Sequence, residues 1–262
     1  MNQHDADAVA QIQREMYNRS AATYIDSTAK LTTLAVDLLI EAARLTRDSH
    51  ALEVGCGPGH ITKLMADTGA RVTGIDVAPA MVKVASELYQ NIEFKEGNGE
   101  HLPFDADTFD VVLVNYVMHH FGRPEQACAE IHRVLKHGGR LVLAGPSEGF
   151  GFSALREAVT EHHTRGERPR GSISNRATQA DYESLLQEAG FSDYDVNVHQ
   201  MTLHLESLEP LIETGRQMWE LSKLPREIQD RIRDATAEKT APYRTDRGYE
   251  FPERVVVGVA TK

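Results

Sequence analysis

The stretch LEVGCGPG, from Leu52 to Gly59, determines the fold that this chain is expected to adopt. It places three alternating glycines, Gly55, Gly57 and Gly59, after a short apolar strand and before an apolar helical repeat. Glycine at such a turn permits backbone angles that other residues avoid, and it lets a ligand approach the main chain. The free N–H groups at the start of the following helix favour an anionic ligand group. The stretch therefore predicts a strand–turn–helix unit with a ligand at its turn.

The acidic residues around this turn narrow the choice of ligand. Glu53 stands two positions before the first glycine, and Asp76 ends the next predicted strand. A carboxylate at that strand end can accept hydrogen bonds from both hydroxyls of a ribose. The dinucleotide fingerprint G-x-G-x-x-G requires glycine where this chain has His60. Asp76 alone would suit NAD and S-adenosylmethionine (SAM) equally, whereas Glu53 followed by G-x-G-x-G does not fit NAD.

Short apolar strands alternate with amphipathic helices from residue 50 onward. The spacing predicts strands at residues 50–54, 71–75, 92–94, 109–114 and 140–144, with two more at 194–198 and 254–260. The strand at 109–114 is almost uniformly apolar, which is typical of a central strand covered on both faces. Strands separated by such helices pair in parallel through right-handed crossovers. The pattern therefore predicts a doubly wound α/β sheet.

The chain is predicted to consist of four segments. They are an N-terminal helical segment or lid, a cofactor-binding core, a helical substrate cap and a final strand of the core, at residues 1–45, 46–200, 201–250 and 251–262. The cap is inferred because roughly fifty residues between the last two strands are too many for a hairpin loop. In the first segment, apolar spacing predicts one long helix over 29–45. In the core, Thr178 and Asp181 are expected to cap a helix start.

Charge and composition argue against several classes of protein. The chain has 28 Lys and Arg against 39 Asp and Glu, for a net charge of -11, which disfavours nucleic-acid binding. The basic run Arg165, Arg168 and Arg170 is expected to be a solvated loop. Residues 1–10 do not resemble a signal peptide, and no apolar run approaches the roughly 20 residues that span a bilayer. Two cysteines without a CxxC pair fit a reducing compartment, so we expect a cytoplasmic protein that does not bind membranes.

Four blocks, in the same order along the chain, resemble class I SAM-dependent methyltransferases. They are residues 52–59, 74–76, 97–104 with 109–110, and 133–141. In particular, they are similar to the small-molecule enzymes with a methyltransferase type 11 domain that are related to quinone-biosynthesis and trans-aconitate methyltransferases. The resemblance is strong over about residues 45–147. It implies a Rossmann-like seven-stranded sheet, mostly parallel with an antiparallel last strand, and SAM as cofactor with S-adenosylhomocysteine (SAH) as product.

The resemblance also implies cofactor contacts, position by position. From the methionine end of SAM to the adenine, they are Glu53, Gly55, Gly57, Asn115, Asp76, Val77, Met81, Asn98 and Gly99. The block containing Asn98 usually reads Gly-Asp-Ala, and its Asp accepts the adenine amino group. An amide oxygen can accept the same bond, so Asn98 is kept as the adenine contact. Glu100, two residues after Asn98, is expected to be a solvated acid at a helix start.

His119 and His120 are the candidate catalytic residues. They follow the strand at 109–114, at the carboxyl edge of the sheet, where open α/β folds bind ligands. Imidazole titrates near neutrality and could deprotonate an acceptor hydroxyl or amine. The alternative is that one of them only hydrogen-bonds to the loop backbone. No thiolate or carboxylate accompanies them at ligand spacing, so no metal site is predicted.

Four aromatic residues are candidate site residues outside the core. Tyr17 and Tyr24 lie in the segment that closes over SAM in relatives, where aromatic faces can cover the sulfonium. We assign Tyr24 to the cofactor and Tyr17 to the acceptor. Trp219 and Tyr243, in the predicted cap, are candidates to line an apolar acceptor pocket. The alternative for each is ordinary packing, against the first long helix or in a small core of the cap.

The sequence thus predicts methyl transfer from SAM to a small-molecule acceptor by in-line displacement. One alternative is a protein that binds SAM without methylating. Another is an NAD-dependent oxidoreductase, which His60 and Glu53 disfavour. The acceptor, the atom methylated and the choice between monomer and homodimer are left open.

Overall fold

The computed structural model describes residues 3–163 and 177–262, and the basic run Arg165, Arg168 and Arg170 lies outside them. Its strands are β1 (His50–Val54), β2 (Arg71–Asp76), β3 (Glu93–Glu96), β4 (Phe109–Asn115), β5 (Leu135–Gly149), β6 (Asp193–Leu205), β7 (Arg244–Thr245) and β8 (Gly248–Thr261). Its helices are α1 (Gln3–Ser20), α2 (Thr28–Thr32), α3 (Val36–Ala43), α4 (His60–Asp67), α5 (Pro79–Leu88), α6 (Pro124–Val134), α7 (Phe150–His162), α8 (Gln179–Glu188), α9 (Glu209–Trp219) and α10 (Arg226–Thr240). Within these ranges, no helix combines the length and the apolar character needed to cross a bilayer.

The strands form one mixed sheet in the order β3-β2-β1-β4-β5-β8-β6, with the two-residue β7 paired to β8. β1 to β5 pair in parallel, and β8 runs antiparallel to both β5 and β6. This arrangement confirms the predicted Rossmann-like sheet with its antiparallel last strand; β7 is an addition to it. The strand order reverses between β1 and β4, and open α/β sheets bind ligands in the crevice at such a point.

β1 and β4 form the centre of the sheet and are buried on both faces. Leu52, Val112 and Leu113 are fully buried there. Residues of α6 and α8 pack against one face, and residues of α3 and α4 pack against the other. The uniform apolar character of β4 follows from this double coverage. The carboxyl ends of the central strands are therefore held in fixed positions.

The predicted helix over 29–45 is two helices, α2 and α3, with a break after Thr32. The hydroxyls of Thr32 and Thr33 donate back to the carbonyls of Thr28 and Ala29, at 3.2 and 2.8 Å. Such back-bonding by Thr side chains bends helices and weakens their continuation. The carbonyl of Thr32 accepts a hydrogen bond from the side chain of Asn115 at 2.9 Å. The break is therefore stabilised by the end of β4.

The last two long strands extend beyond the core. β6 has 13 residues, all paired with β8, whereas the sequence predicted only residues 194–198 and 254–260. Around their far ends, α7, α9 and α10 form an apolar cluster that includes the fully buried Phe251. α7, at Phe150–His162, was not predicted from the sequence. It precedes residue 201, at which the predicted cap begins.

Candidate active site

The glycine turn between β1 and α4 has backbone angles that suit glycine. Gly55, Gly57 and Gly59 have φ angles of +74°, +53° and +84°. The N–H of Gly55 donates to the carbonyl of Ile75 at 2.8 Å, which fastens the turn to the end of β2. A Cβ on Gly55 would lie 2.3 Å from the side chain of Val117. The close packing at this position therefore excludes a larger residue.

Asp76, at the end of β2, is fixed by backbone donors on both of its carboxylate oxygens. Its Oδ2 accepts from the N–H of Gly57 and its Oδ1 from the N–H of Ala78, each at 2.9 Å. Burial raises the pKa of Asp76, and the backbone hydrogen bonds offset part of that rise. Each oxygen keeps lone-pair capacity for another donor. The carboxylate is therefore held ready to accept a pair of hydroxyl groups.

A first cavity, of about 700 Å³, opens beside the glycine turn and Asp76. It brings together ten residues that the sequence analysis selected: Gly55, Gly57, Asp76, Val77, Asn98, Gly99, Asn115, Tyr17, Tyr24 and His120. Two predicted cofactor contacts, Glu53 and Met81, are not among the described residues that line it. Met81 is fully buried and packs with Ala21 and Ala78.

Glu53 is a buried acid within β1, with 2% of its surface exposed. The hydroxyl of Thr62 donates to its Oε2. Burial raises the pKa of Glu53 to about 8, although the hydrogen bonds from Thr62 oppose the shift. The negative charge of Asp76 adds to the rise. In the ligand-free chain Glu53 therefore binds a proton over a pH range in which an exposed glutamate is ionised.

The loop after β3 contributes Asn98 and Gly99 to the first cavity. The Oδ1 of Asn98 accepts from the N–H of Glu100 at 2.9 Å and keeps a second lone pair. The prediction that Glu100 is a solvated acid is wrong, because only 2% of its surface is exposed. Its carboxylate accepts from the N–H groups of Gly122 and Arg123, at 2.8 and 3.2 Å. Glu100 therefore ties this loop to the segment before α6.

Asn115 ends β4 and presents one free acceptor at the first cavity. Its Nδ2 donates to the carbonyl of Thr32, whereas its buried Oδ1 has no hydrogen-bond partner in the described part of the chain. A buried acceptor left unpaired costs about 1–3 kcal/mol. This oxygen is therefore suited to receive a donor from a ligand.

The N-terminal helix α1 carries Tyr17 into the first cavity. The side-chain oxygen of Asn18 accepts from the N–H of Ala80 at 2.9 Å and so caps α5 from outside. α5 has no capping side chain of its own. Arg14, about one turn before Asn18 on α1, forms an ion pair with Glu96 of β3. Two polar contacts thus hold α1 against the start of α5 and the end of β3.

A second cavity, of about 860 Å³, adjoins the first. Four side chains line both cavities and form a common wall: Tyr17, Tyr24, Tyr116 and His120. Half of the other described residues that line it are apolar: Leu31, Pro146, Phe152, Leu203, Leu211 and Met218. Arg156 and Glu253 are the charged residues in the described lining, and His119 lines this cavity but not the first. The geometry suits two reactants that bind in adjoining cavities and contact each other beside these four shared side chains.

The two histidines lie on a 3₁₀ turn after β4, with ring centroids 4.0 Å apart. The hydroxyl of Tyr17 lies 2.7 Å from Nε2 of His120. Burial lowers the pKa of His119 to about 4 and holds the pKa of His120 well below its usual range. Both imidazoles are therefore neutral at pH 7 and are weaker bases than an exposed histidine, because their protonated forms lose the proton more readily.

Trp219 and Tyr243 lie in the apolar cluster around α7, α9 and α10 and not among the described residues that line either cavity. The ring of Trp219 packs 5.5 Å from that of Phe152, which does line the second cavity. The ring of Tyr243 packs 5.5 Å from that of Phe251. Trp219 thus lies behind the cavity wall, where the sequence analysis had expected direct contact with an acceptor.

Tyr116 is a site residue that sequence reasoning missed. It follows Asn115 directly and adopts φ of +55°, which is unusual for a bulky residue. Its N–H donates to the carbonyl of Ala144 at 2.8 Å, so the neighbouring strand holds this conformation. Such strain costs about 1–3 kcal/mol and is concentrated at functional sites. The only signal in the sequence is its position after the carboxyl end of β4.

Comparisons with known proteins place this site in a family. Residues 52–143 match the family described as a methyltransferase domain. Over 199 residues the chain is 32% identical to malonyl-[acyl-carrier protein] O-methyltransferase of Paenibacillus sp. (strain JDR-2), covering 69% of this chain and 71% of that protein. The chain belongs to the class I SAM-dependent methyltransferases.

Other methyltransferases match shorter segments of sequence. The chain is 32% identical over 132 residues to the uncharacterized methyltransferase YcgJ of Bacillus subtilis, covering 48% of this chain and 52% of that protein. This chain spans about half the length of the first curated relatives that it matches. The crystal structure of YcgJ has a TM-score of 0.61 at 20% identity, covering 87% of this chain and 97% of that one.

A SAM complex is known for another protein of this fold. Phosphoethanolamine N-methyltransferase 2 of Haemonchus contortus, in complex with SAM, has a TM-score of 0.56 and 20% identity. It covers 86% of this chain and 51% of that chain. At this level of identity the similarity establishes a common fold.

The first cavity of this methyltransferase fits SAM. A Cβ on Gly57 would have Tyr24 as its nearest neighbour, at 3.9 Å, so the glycine leaves open space against the backbone. Asp76 offers acceptors for ribose hydroxyls, and the unpaired Oδ1 of Asn115 can accept from an ammonium group. No group of three or more His, Cys, Asp or Glu side chains suited to a metal ion occurs among the residues described.

Proposed function

We propose that this methyltransferase transfers a methyl group from SAM to a small molecule. We assign SAM to the first cavity and the acceptor to the second. The observation that carries the proposal is the common wall of the two cavities, because contents of adjoining cavities can meet there. The glycine turn and the fixed carboxylate of Asp76 support SAM in the first cavity.

Each end of the cofactor has a candidate partner. Asp76 would accept hydrogen bonds from the ribose hydroxyls, and Asn98 would accept one from the adenine amino group. Asn115 would hold the methionine part, and Tyr24 would face the sulfonium with its ring. When bound, SAM supplies a methyl group on a positively charged sulfur.

The chain's own contribution to the reaction is to align the acceptor and exclude water. Alignment of two reactants can lower the barrier by about 7–11 kcal/mol. We assign α7, α9 and α10 to a cap that closes the second cavity from solvent. His119 and His120 serve as neutral hydrogen-bonding groups in this proposal, because their lowered pKa values make them poor proton acceptors.

The proposal is tested by incubating the protein with SAM labelled in its methyl group and pooled small-molecule acceptors. We expect SAH and a labelled methylated product in equal amounts. Ser153→Trp should fill the second cavity and abolish turnover while SAM still binds, because Ser153 lines only that cavity. Thr160→Trp, on the exposed side of the same helix, is the matched control. SAM binding without product from any pool would favour the alternative of a SAM-binding protein that does not methylate.

A further inference from the structure

Three of the four side chains in the common wall already have polar partners. Tyr17 and His120 hydrogen-bond to each other at 2.7 Å, and Tyr24 has a polar contact with Thr32. The hydroxyl of Tyr116 has no hydrogen-bond partner within residues 3–163 and 177–262. It is also not a fully enclosed atom, unlike the unpaired Oδ1 of Asn115. The hydroxyl of Tyr116 can therefore hydrogen-bond to a molecule bound in the cavities.

The backbone holds Tyr116 at the wall at a cost in conformational free energy. Its φ of +55° departs from the extended angles of β4, which ends one residue earlier. Two hydrogen bonds hold the backbone in this conformation. The side chain of Asn115 donates to the carbonyl of Thr32, and the N–H of Tyr116 donates to the carbonyl of Ala144. A strained conformation persists when the surrounding structure enforces it. The strain directs the Tyr116 ring to the junction of the two cavities.

The second cavity is suited to an uncharged, mostly apolar molecule. Among the described residues of its lining, one cation, Arg156, is matched by one anion, Glu253, so the described lining carries no net formal charge. The hydroxyl of Thr28 pairs with that of Thr214 at 3.1 Å. Transfer of an unpaired charge into such a site is costly. Burial and the nearby Glu253 raise the pKa of Tyr116, so its hydroxyl keeps its proton at neutral pH.

We propose that Tyr116 is the residue that positions the acceptor, and that the acceptor is an uncharged, largely apolar molecule with a hydroxyl group that hydrogen-bonds to Tyr116. A hydroxyl can donate to or accept from the phenol, so it pairs with Tyr116 in either sense. This inference rests on the proposed function, because it takes the second cavity to be the acceptor site.

The test uses three probes that share an ethylbenzene scaffold and differ in the para substituent: 4-ethylphenol, ethylbenzene and 4-ethylbenzoate. Each is titrated into the SAH-saturated protein, and its dissociation constant is measured by ligand-observed NMR. We expect 4-ethylphenol to bind most tightly. Tyr116→Phe should weaken 4-ethylphenol about tenfold, to the level of ethylbenzene, because it removes one hydrogen bond. The affinity for ethylbenzene should not change.

Tyr89→Phe, outside both cavities, is the matched control and should alter neither affinity. Ser153→Trp should abolish binding of all three probes, which locates them in the second cavity. If 4-ethylbenzoate bound most tightly, the proposal that the acceptor is uncharged would be overturned. If 4-ethylphenol bound wild type and Tyr116→Phe equally well, the proposed role of Tyr116 would be overturned. Failure of SAH to bind would count against the proposed function. The role of Tyr116 could still be tested in that case, because the probes can be titrated into the protein without SAH.

Discussion

At the residue scale, one absent side chain leaves room for a ligand against the backbone. Gly57 has φ of +53°, and its N–H already donates to Asp76. A Cβ there would contact no protein atom closer than 3.9 Å, so in the ligand-free chain alanine meets no steric clash and bears only the backbone cost of its positive φ. The same Cβ would project into space that the cofactor is proposed to occupy. A substitution at Gly57 can therefore impair cofactor binding without preventing folding.

We expect Gly57→Ala to fold but to lose SAM affinity by on the order of tenfold, or about 1.4 kcal/mol. Gly138→Ala is a matched control, because Gly138 also has positive φ, of +77°, with no atom within 4 Å of its added Cβ. Both variants carry a similar backbone cost of roughly 1–2 kcal/mol. Calorimetric titration with SAM, beside thermal unfolding, separates the two effects. Equal SAM affinity in the two variants would remove Gly57 from the cofactor site.

Individual site residues were predictable where a pattern identifies them. The G-x-G-x-G turn and Asp76 were predictable because each lies at the end of a short apolar strand that the sequence pattern identifies. Glu100 was misjudged, because its partners Gly122 and Arg123 are distant in sequence. Tyr116 was missed, because a strained φ follows from tertiary contacts and has no pattern in the sequence.

At the element scale, α1 is attached to the core mainly by polar contacts. Asn18 supplies the helix cap that α5 lacks, and Tyr17 on the same helix lines both cavities. The position of α1 therefore affects both sites at once. Loosening α1 should open the cofactor cavity without unfolding the sheet.

Asn18→Ala is expected to destabilise the docked position of α1 by about 0.5–2 kcal/mol, the usual range for a lost helix cap. Hydrogen exchange measured by NMR should show faster exchange for the amides of α1, together with weaker SAM binding. Gln11→Ala, on the exposed face of the same helix, should change neither. Unchanged exchange in Asn18→Ala would show that the cap does not hold α1.

The sequence predicted elements well where periodicity continues and less well where tertiary contacts interrupt it. The capping pair of α8 is confirmed, with the N–H of Thr178 donating to Asp181 at 2.7 Å and the pair forming a complete capping box. The break between α2 and α3 was not predicted, because Asn115 stabilises it from β4. β6 and β8 are longer than predicted, since their outer halves pair with each other beyond the apolar core.

At the scale of the whole molecule, the buried Glu53 links stability to pH. Its pKa is about 8 in the folded chain and near the ordinary glutamate value when unfolded. The folded state therefore binds more protons between these values, and this residue's contribution to stability falls as the pH rises through that window. The direction is opposite to that of a salt-bridged carboxylate.

We expect the free energy of unfolding of the ligand-free wild type, relative to that of Glu53→Gln, to fall as the pH rises from about 5 to about 8. Denaturant unfolding at several pH values measures this difference. The substitution Glu206→Gln, at an exposed glutamate, should leave the wild-type dependence in place. A constant difference between wild type and Glu53→Gln would mean that Glu53 is ionised throughout the range.

The central claim for the whole molecule is that SAM binds at the glycine turn with its ribose on Asp76. The direct measurement is calorimetric titration of SAM, SAH and NADH into wild type, Asp76→Ala and Asp110→Ala. Asp110 is the matched control, because its carboxylate also accepts a backbone N–H, from His50 at 2.8 Å, but at the other end of the central strands. We predict that the wild type binds SAM and SAH but not NADH. Asp76→Ala should weaken the binding free energy of SAM by about 2–4 kcal/mol, and Asp110→Ala should leave it unchanged. Binding of NADH in place of SAM, or full SAM affinity in a folded Asp76→Ala, would contradict the account.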